Sequence, residues 1–395
     1  MQKPQMANEQ RPRRRLYFLD KSKGINYFKK FDYTVLVCVL ALSAFGLVVV
    51  ESATRTMSGN SRIMLMQAVS VIIGAVVAIV LSIIDYRVFR PTGIFLYAVS
   101  VLLLGIVLFK GTGREVGSRS WLILPGGISF QPAEFAKITF VIMVAKYLEM
   151  MGEGRGRYNL LKLVAVSVIP IVLVLQQPDY GTAVVFFVIL GAMLYIWGIK
   201  YRYIIMAAGA ALAAFPVMWL FFFNDARKAR ILEFLSPGHD PSGASYQVMK
   251  AKMAIGSGRW FGWGLGNGLQ TQNPVESIPI KESDCIFAVI GEELGFLGAS
   301  LVIVLFVIIL LRCLYVAGKP GDYFGEYLVI GITGMFAFHF FENVGMNLGI
   351  MPLTGIPLPF ISQGGSAMVT NYFAIGIVLS VSLRKKKTTM FNSEQ

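Results

Sequence analysis

The chain has 395 residues, of which 55% are apolar and only 15% charged, and its mean hydropathy is +0.64. That is more apolar surface than a soluble domain of this length can bury, which excludes a soluble globular protein and leaves a multi-span membrane protein. The formal net charge of +14 is spread through loops between apolar runs without a nucleic-acid motif, so an anionic lipid surface, not nucleic acid, is the expected partner.

A basic stretch over 1–32, with Arg11, Arg13, Arg14, Arg15, Lys21, Lys23, Lys29 and Lys30, precedes the first apolar run. That run is too long for a signal-peptide core and lacks a small-residue cleavage site, so the tail is expected to be retained. Apolar runs follow near 33–51, 63–84, 92–110, 133–149, 160–177, 182–199, 202–223, 284–312, 325–347 and 364–383. Crossing a bilayer takes about 20 residues. The pattern predicts an all-α integral membrane protein of about ten transmembrane helices, forming one polytopic domain over 33–383. A large extracellular loop at 224–283 separates spans seven and eight, a re-entrant loop separates spans nine and ten, and 384–395 forms a second tail. The least regular spans are the fourth, with Glu134, Lys137 and Lys146, and the fifth, with Pro170. Once the long loop is discounted, Lys and Arg concentrate on the side of the termini, which places both termini in the cytoplasm. Cys38, Cys285 and Cys313 are too scattered for a C-x-x-C pair or a zinc site.

The stretch around which the chain is organised is 276–298, where a polar loop containing Pro279, Lys281, Glu282 and Ser283 runs into a long apolar helix. Asp284 is expected in the first turn of that helix, where the dipole favours a carboxylate. Asp also caps helices, so a purely structural role stands beside a catalytic one. Upstream, 246–255 places Tyr246, Met249 and Met253 on one face with Lys250 and Lys252 beside it, as in a helix lying in the membrane interface. Gly256 to Gly268 follows, with Trp260 and Trp263 suited to the headgroup level and glycines that permit close backbone approach or simply a flexible linker. The uncharged 346–366 stretch, rich in Pro and Gly, is tolerated at membrane depth only when protein or a cavity surrounds it.

Ionisable groups within spans are costly and each wants a partner. Glu134 and Lys137 are spaced to pair on one helix face, and Asp179 follows Pro178 and is placed to cap span six. Glu134, Lys137, Asp179 and Asp284 all fall at the outer ends of spans, a convergence that capping alone explains poorly. Glu292 and Glu293 lie deeper in span eight. His339, Glu342 and Asn343 share a face of span nine, where a buried polar contact between helices fits better than a metal site.

Five segments taken together resemble the SEDS family (shape, elongation, division and sporulation; FtsW/RodA/SpoVE). They are Gln131-Pro-Ala-Glu-Phe-Ala-Lys137, Gln177-Pro-Asp-Tyr-Gly-Thr182, the glycine-rich 256–268, Ser283-Asp-Cys-Ile-Phe-Ala-Val-Ile-Gly-Glu-Glu-Leu-Gly295 and Thr354-Gly-Ile-Pro-Leu-Pro-Phe-Ile-Ser-Gln-Gly-Gly-Ser366. They occur in family order from the first span to the last, and the Thr354 stretch resembles the RodA, or elongation, branch. The chain departs from the family pattern at Glu282, Ser283 and Cys285 around the acid, at Gln363, and at Ser120, with Arg119 one step before it.

The resemblance implies a peptidoglycan glycosyltransferase of the bacterial cytoplasmic membrane. It would polymerise lipid II into glycan on undecaprenyl pyrophosphate at the outer face and work with a class B penicillin-binding transpeptidase. It further implies that Asp284 is catalytic, with Glu134, Lys137 and Asp179 supporting the site. A GlcNAc 4-hydroxyl must then displace lipid pyrophosphate from the anomeric carbon of MurNAc with inversion, which requires a base and groups that hold negative charge. Lys137, Lys250, Lys252, Arg259 and Arg119 are the candidates for the pyrophosphate, with a divalent cation, Mg or Mn, held by Asp284 or Asp179 as the expected cofactor. Two other functions compete. A flippase for the lipid-linked precursor would need charges spread through the membrane depth and a repeat of the spans, and a scaffold would leave Asp284 replaceable.

Overall fold

In the computed structural model, the described residues are 31–57, 59–112, 120–124, 128–152, 156–203, 244–273 and 278–384, with isolated positions between 205 and 232. The basic tail, most of span seven, the first part of the large loop and Arg119 lie outside them. The elements are α1 (Tyr33–Thr54), α2 (Asn60–Ile83), α3 (Phe89–Lys110), β1 (Leu122–Leu124), β2 (Ile128–Phe130), α4 (Pro132–Gly152), α5 (Gly156–Gln176) and α6 (Tyr180–Trp197). After the large loop's first part come α7 (Ala244–Ser257), α8 (Ile286–Glu293), α9 (Gly295–Ala317), α10 (Tyr323–Leu348) and α11 (Gly365–Leu383). Among the described residues, eight helices are long and apolar enough to cross a membrane. The short antiparallel pair β1 and β2, in which Leu122 faces Phe130, was not expected from the apolar pattern.

The helices sort by burial. α4 is buried along nearly its whole length and packs on α3, α5, α6 and α10, so the least regular span in the sequence is the centre of the bundle. Glu134 and Lys137 are compatible with that place because they pair with each other at 2.8 Å. α2 lies at the edge and joins through a seam of small residues, where Gly74 meets the Tyr372 ring and Ala78 meets Gly376 of α11. Its outer face, including Leu65, Ile72 and Val76, is exposed, as expected of a surface solvated by lipid tails.

One end of the bundle is tied by ion pairs. Asp32 caps α1 and pairs with Arg312 at 2.8 Å, Asp322 caps α10 and pairs with Arg87 at 3.0 Å, and Arg384 reaches Asp85 at 3.3 Å. The other end carries the loops and the polar residues singled out above. The span expected over 284–312 is broken there into α8 and α9 at Gly295, whose φ is +64°. The break is held from outside: the Glu292 and Glu293 carbonyls accept from the Trp263 and Gly264 N–H groups at 3.0 and 2.9 Å. Gly262, at φ +74°, lies so close to the Glu293 backbone that a Cβ would overlap it. The 256–268 stretch is therefore a fitted cover, with Trp260 and Trp263 exposed at its rim.

The 349–364 loop turns back into the bundle. Phe360, at φ +65°, is buried between Phe336 and Tyr372, with ring centroids 5.3 and 5.7 Å away. A non-glycine residue held there costs on the order of 1–3 kcal/mol, which the burial of a whole aromatic side chain offsets. Gln67 of α2 closes the loop, donating to the Ser362 carbonyl at 3.1 Å and accepting from the Gly364 N–H at 3.1 Å.

Candidate active site

Asp284 does not sit in a helix. α8 begins at Ile286 and has no side-chain cap, and the Asp284 N–H is spent on the Ile280 carbonyl at 3.1 Å. The Pro279 turn winds the chain through 280–285 before the helix starts, which displaces the acid two residues outward from the first turn expected for it. Capping is thus not what Asp284 does.

Its backbone is fixed from three directions. The Asp284 carbonyl accepts from Asn343 Nδ2 and Asn347 Nδ2 of α10, each at 3.0 Å. Ser362 Oγ donates to the Ser283 carbonyl at 2.7 Å, and the Gln363 N–H donates to the Glu282 carbonyl at 2.9 Å. Asn343 also donates to the Ile356 carbonyl at 2.9 Å, so one side chain holds both the acid's segment and the 349–364 loop. The carboxylate itself is half-buried and accepts from Ser283 Oγ at 3.0 Å. Gly355 faces it at φ +79°, where a Cβ would stand 3.3 Å from Oδ2.

Deeper along α10 is a closed cluster. Lys137 Nζ lies 2.8 Å from Glu134 Oε1 and 2.9 Å from His339 Nε2, and Lys137 and Glu134 are almost fully buried. An ammonium only donates, so Nε2 accepts and the ring proton sits on Nδ1. His339 and Asn343 are one helical turn apart, about 6 Å along the axis, so one stripe of α10 serves both the cluster and the acid's segment. Glu342, on the same stripe, accepts from Thr354 Oγ1 of the loop at 2.8 Å. Asp179 caps α6 as expected, accepting from the Thr182 N–H at 3.1 Å, and Gln131 Nε2 reaches it at 3.3 Å. Burial pushes its carboxyl up from the usual range, partly offset by the Thr182 bonds.

The cations of the large loop divide. Lys250 stands at Tyr246 as expected, its ammonium 5.4 Å from the ring centroid, but it is buried and donates to Gln270 Oε1 at 3.1 Å. Lys252 is exposed and lies against Gly349 at the end of α10. Arg259 is exposed, and its backbone carbonyl receives the Phe296 N–H at 2.8 Å. Lys281 is buried, donates to the Thr271 carbonyl, and has its ammonium pulled down from the usual range by that burial. Glu292 and Glu293 are anchors: their carboxylates take the N–H groups of Gln270, Thr271 and Gly266 at 2.7, 2.9 and 3.1 Å.

Asn347 and Ser362 were not singled out in the sequence, yet both hold the acid's segment. The signal for Asn347 was present, since 339, 342, 343 and 347 form one polar stripe on an apolar helix.

Residues 32–387 match the family model described as cell cycle protein, FtsW/RodA/SpoVE. The chain belongs to this family. Among FtsW/RodA/SpoVE relatives, a probable peptidoglycan glycosyltransferase FtsW of Trichlorobacter lovleyi is 35% identical over 365 residues, covering 89% of this chain and 93% of the relative. The peptidoglycan glycosyltransferase MrdB of Escherichia coli K12 is 33% identical over 356 residues, covering 90% and 94%. The rod shape determining protein RodA of Thermus thermophilus superposes with TM-score 0.65 at 25% identity, covering 89% of this chain and 96% of RodA. A chain from a peptidoglycan synthase complex that coordinates polymerization and crosslinking gives 0.76 at 27%, covering 89% and 97%.

Proposed function

We propose that this chain is a peptidoglycan glycosyltransferase that polymerises lipid II, with Asp284 as the general base. The observation that carries the assignment is the clamped backbone of a half-exposed acid: two α10 amides, Ser362 and the Gln363 N–H fix the segment while the carboxylate faces the space beside Gly355. A carboxylate is a weak base, so orientation must carry much of the rate, and such fixing supplies it. General base catalysis contributes about 10²- to 10⁴-fold. The acid takes the proton of the acceptor's 4-hydroxyl as that oxygen bonds to the anomeric carbon and the pyrophosphate departs with its bonding electrons. Lys252 and Arg259, both exposed, are the cations we assign to that anion, whereas Lys137, bonded to Glu134 and His339, acts from within as fixed positive charge.

Among the described residues, no three His, Cys, Asp or Glu side chains converge as a metal site. Mg or Mn is held by one or two carboxylates together with substrate phosphates, so Asp284 or Asp179 would hold such an ion against the pyrophosphate, where it would supply charge stabilisation. The acceptor and donor are lipid-linked, which with the Lys and Arg asymmetry supports a cytoplasmic-membrane location, termini inside and Asp284 outside. The synthase complex among the similar structures supports a class B penicillin-binding transpeptidase as partner. The Thr354-Gly-Ile-Pro-Leu-Pro-Phe360 stretch supports a role in elongation.

The test is polymerisation of purified lipid II by the protein co-purified with its transpeptidase, wild type against Asp284→Asn. Glycan from the wild type and at least about a 10²-fold loss in the variant at equal folded yield is the expected result. Equal glycan from both would end the general-base assignment. No glycan from either would turn attention to lipid II flipping in vesicles, the competing activity.

A further inference from the structure

The stretch 353–356 passes Asp284, yet its own backbone does little to hold it: among the described residues, none of its N–H groups donates to another backbone group. Side chains set its position instead. Two consecutive residues of α10 grip it on either side of Gly355: Thr354 Oγ1 donates to Glu342 Oε1 at 2.8 Å, and Asn343 Nδ2 donates to the Ile356 carbonyl at 2.9 Å. The start of α6 backs it, because a Cβ at Gly181 would stand 3.1 Å from both the Cβ and the carbonyl oxygen of Thr354. Gly355 lies between the two grips at φ +79°, where a Cβ would stand 3.3 Å from Asp284 Oδ2. The width of the space beside Asp284 is therefore fixed by how Thr354 and Ile356 are held. Glu342 is 1% exposed, and among the described residues no cationic side chain lies within ion-pair distance of it. A buried acid wants a partner, and the Thr354 hydroxyl supplies one. The two grips differ in reach. Asn343 also holds the Asp284 carbonyl at 3.0 Å, tying acid and loop together, whereas the bond from Glu342 goes to the loop.

We propose that Glu342 is a positioning residue for the glycosyl transfer: through Thr354 it sets the gap between Gly355 and Asp284 that the acceptor hydroxyl enters, and so governs acceptor binding, not the rate of the chemical step. This role rests on the reaction proposed above. The Asp284 segment keeps its own restraints when the Thr354 bond is lost, because Asn343, Asn347 and Ser362 hold it without Glu342. Ser362 is itself fixed apart from Thr354, since Phe360 is buried between Phe336 and Tyr372 and Gln67 closes the far end of the loop. Loosening Thr354 thus alters the acceptor's place while the base stays where it is. Loss of binding without loss of the base's orientation raises KM with kcat held. An amide oxygen accepts the same hydroxyl, so the grip needs an acceptor at 342, not a charge.

The experiment combines lipid II polymerisation by the full-length protein, co-purified with its transpeptidase, with thermal melts in detergent. Thr354→Val removes the donor at nearly constant shape and should raise KM for lipid II about three- to tenfold with kcat within about twofold of wild type. Glu342→Leu should do the same. Thr354→Ser and Glu342→Gln keep the donor and the acceptor and should hold KM within about twofold of the wild-type value. In the melts, Glu342→Leu with Thr354→Val should lose less than the sum of the two single losses, because each change removes the same bond. An unchanged KM in Thr354→Val, a KM rise that Thr354→Ser shares, or a fall in kcat at constant KM overturns the proposal. Additive losses in the melts overturn the grip itself, whatever the activity. Absence of glycan from wild type overturns the reaction on which the role rests, while the melts separately read the grip, so the two failures are distinguishable.

Discussion

Glu134 and Asp284 look alike in the sequence, each an acid near the outer end of an apolar span, and the fold treats them in opposite ways. Glu134 is buried, lies 2.8 Å from Lys137, and belongs to a cluster closed by His339. Asp284 keeps its carboxylate half-exposed while its main chain is held by Asn343, Asn347 and Ile280. In the first case the charge joins two helices; in the second the backbone is restrained while the carboxylate stays partly exposed. The contrast teaches that an acid's role in a membrane bundle is read from which of its atoms are spent. Glu134 is tied through its side chain, whereas the Asp284 segment is tied chiefly through its main chain.

The largest effect expected from breaking this contrast is on the closed cluster. Lys137→Met leaves Glu134 buried without its cation and should cost about 3–5 kcal/mol of stability. In detergent thermal melts this should appear as a large fall in Tm, largely restored by Glu134→Leu in the same chain, because removing both charges leaves none unpaired. Asp284→Asn should leave Tm nearly unchanged. A Tm loss at Asp284 equal to that at Lys137 would erase the distinction.

The next effect falls on the clamp. Asn343→Ala removes one donor to the Asp284 carbonyl and the bond to Ile356, so the segment and the loop can shift against each other. Each buried carbonyl left short of a donor costs roughly 1–3 kcal/mol. A displaced base loses rate more than affinity, so kcat for lipid II polymerisation should drop about 10- to 100-fold with KM little changed. Asn343→Asp, which cannot donate in its ionised form, should behave like Ala, whereas a purely space-filling role would spare it.

Most of the fold was legible because lipid exposure writes itself directly into composition. The runs at 33–51, 63–84 and 92–110 became α1, α2 and α3 within a few residues. What was hidden depended on partners distant in sequence. The break at Gly295 could not be read from an unbroken apolar run, since it is imposed by N–H groups of Trp263 and Gly264. The burial of Lys250 is not legible either, because helical periodicity gives the faces of α7 but not which of them the rest of the protein covers. The site itself was half visible: the acid, the paired charges and Asp179 stood out by their chemistry. Asn347, Ser362 and Gln67 act through backbone groups of remote segments, and polar residues of that kind carry no local mark.

The smallest effect sharpens the contrast most directly, because it alters the space at Asp284 without touching the acid or its clamp. Gly355 sits at φ +79°, and a methyl there would stand 3.3 Å from Asp284 Oδ2. Gly355→Ala should cost roughly 1–2 kcal/mol from the left-handed backbone. It should also crowd the place where an acceptor hydroxyl must approach. Uniform loss of binding raises KM with kcat held, so a several-fold rise in KM for lipid II is the expected signature. A fall in kcat at constant KM would instead mean that the loop orients the carboxylate through Gly355. The vacancy would then belong to the clamp, and the base would be held by its side chain as well as by its main chain.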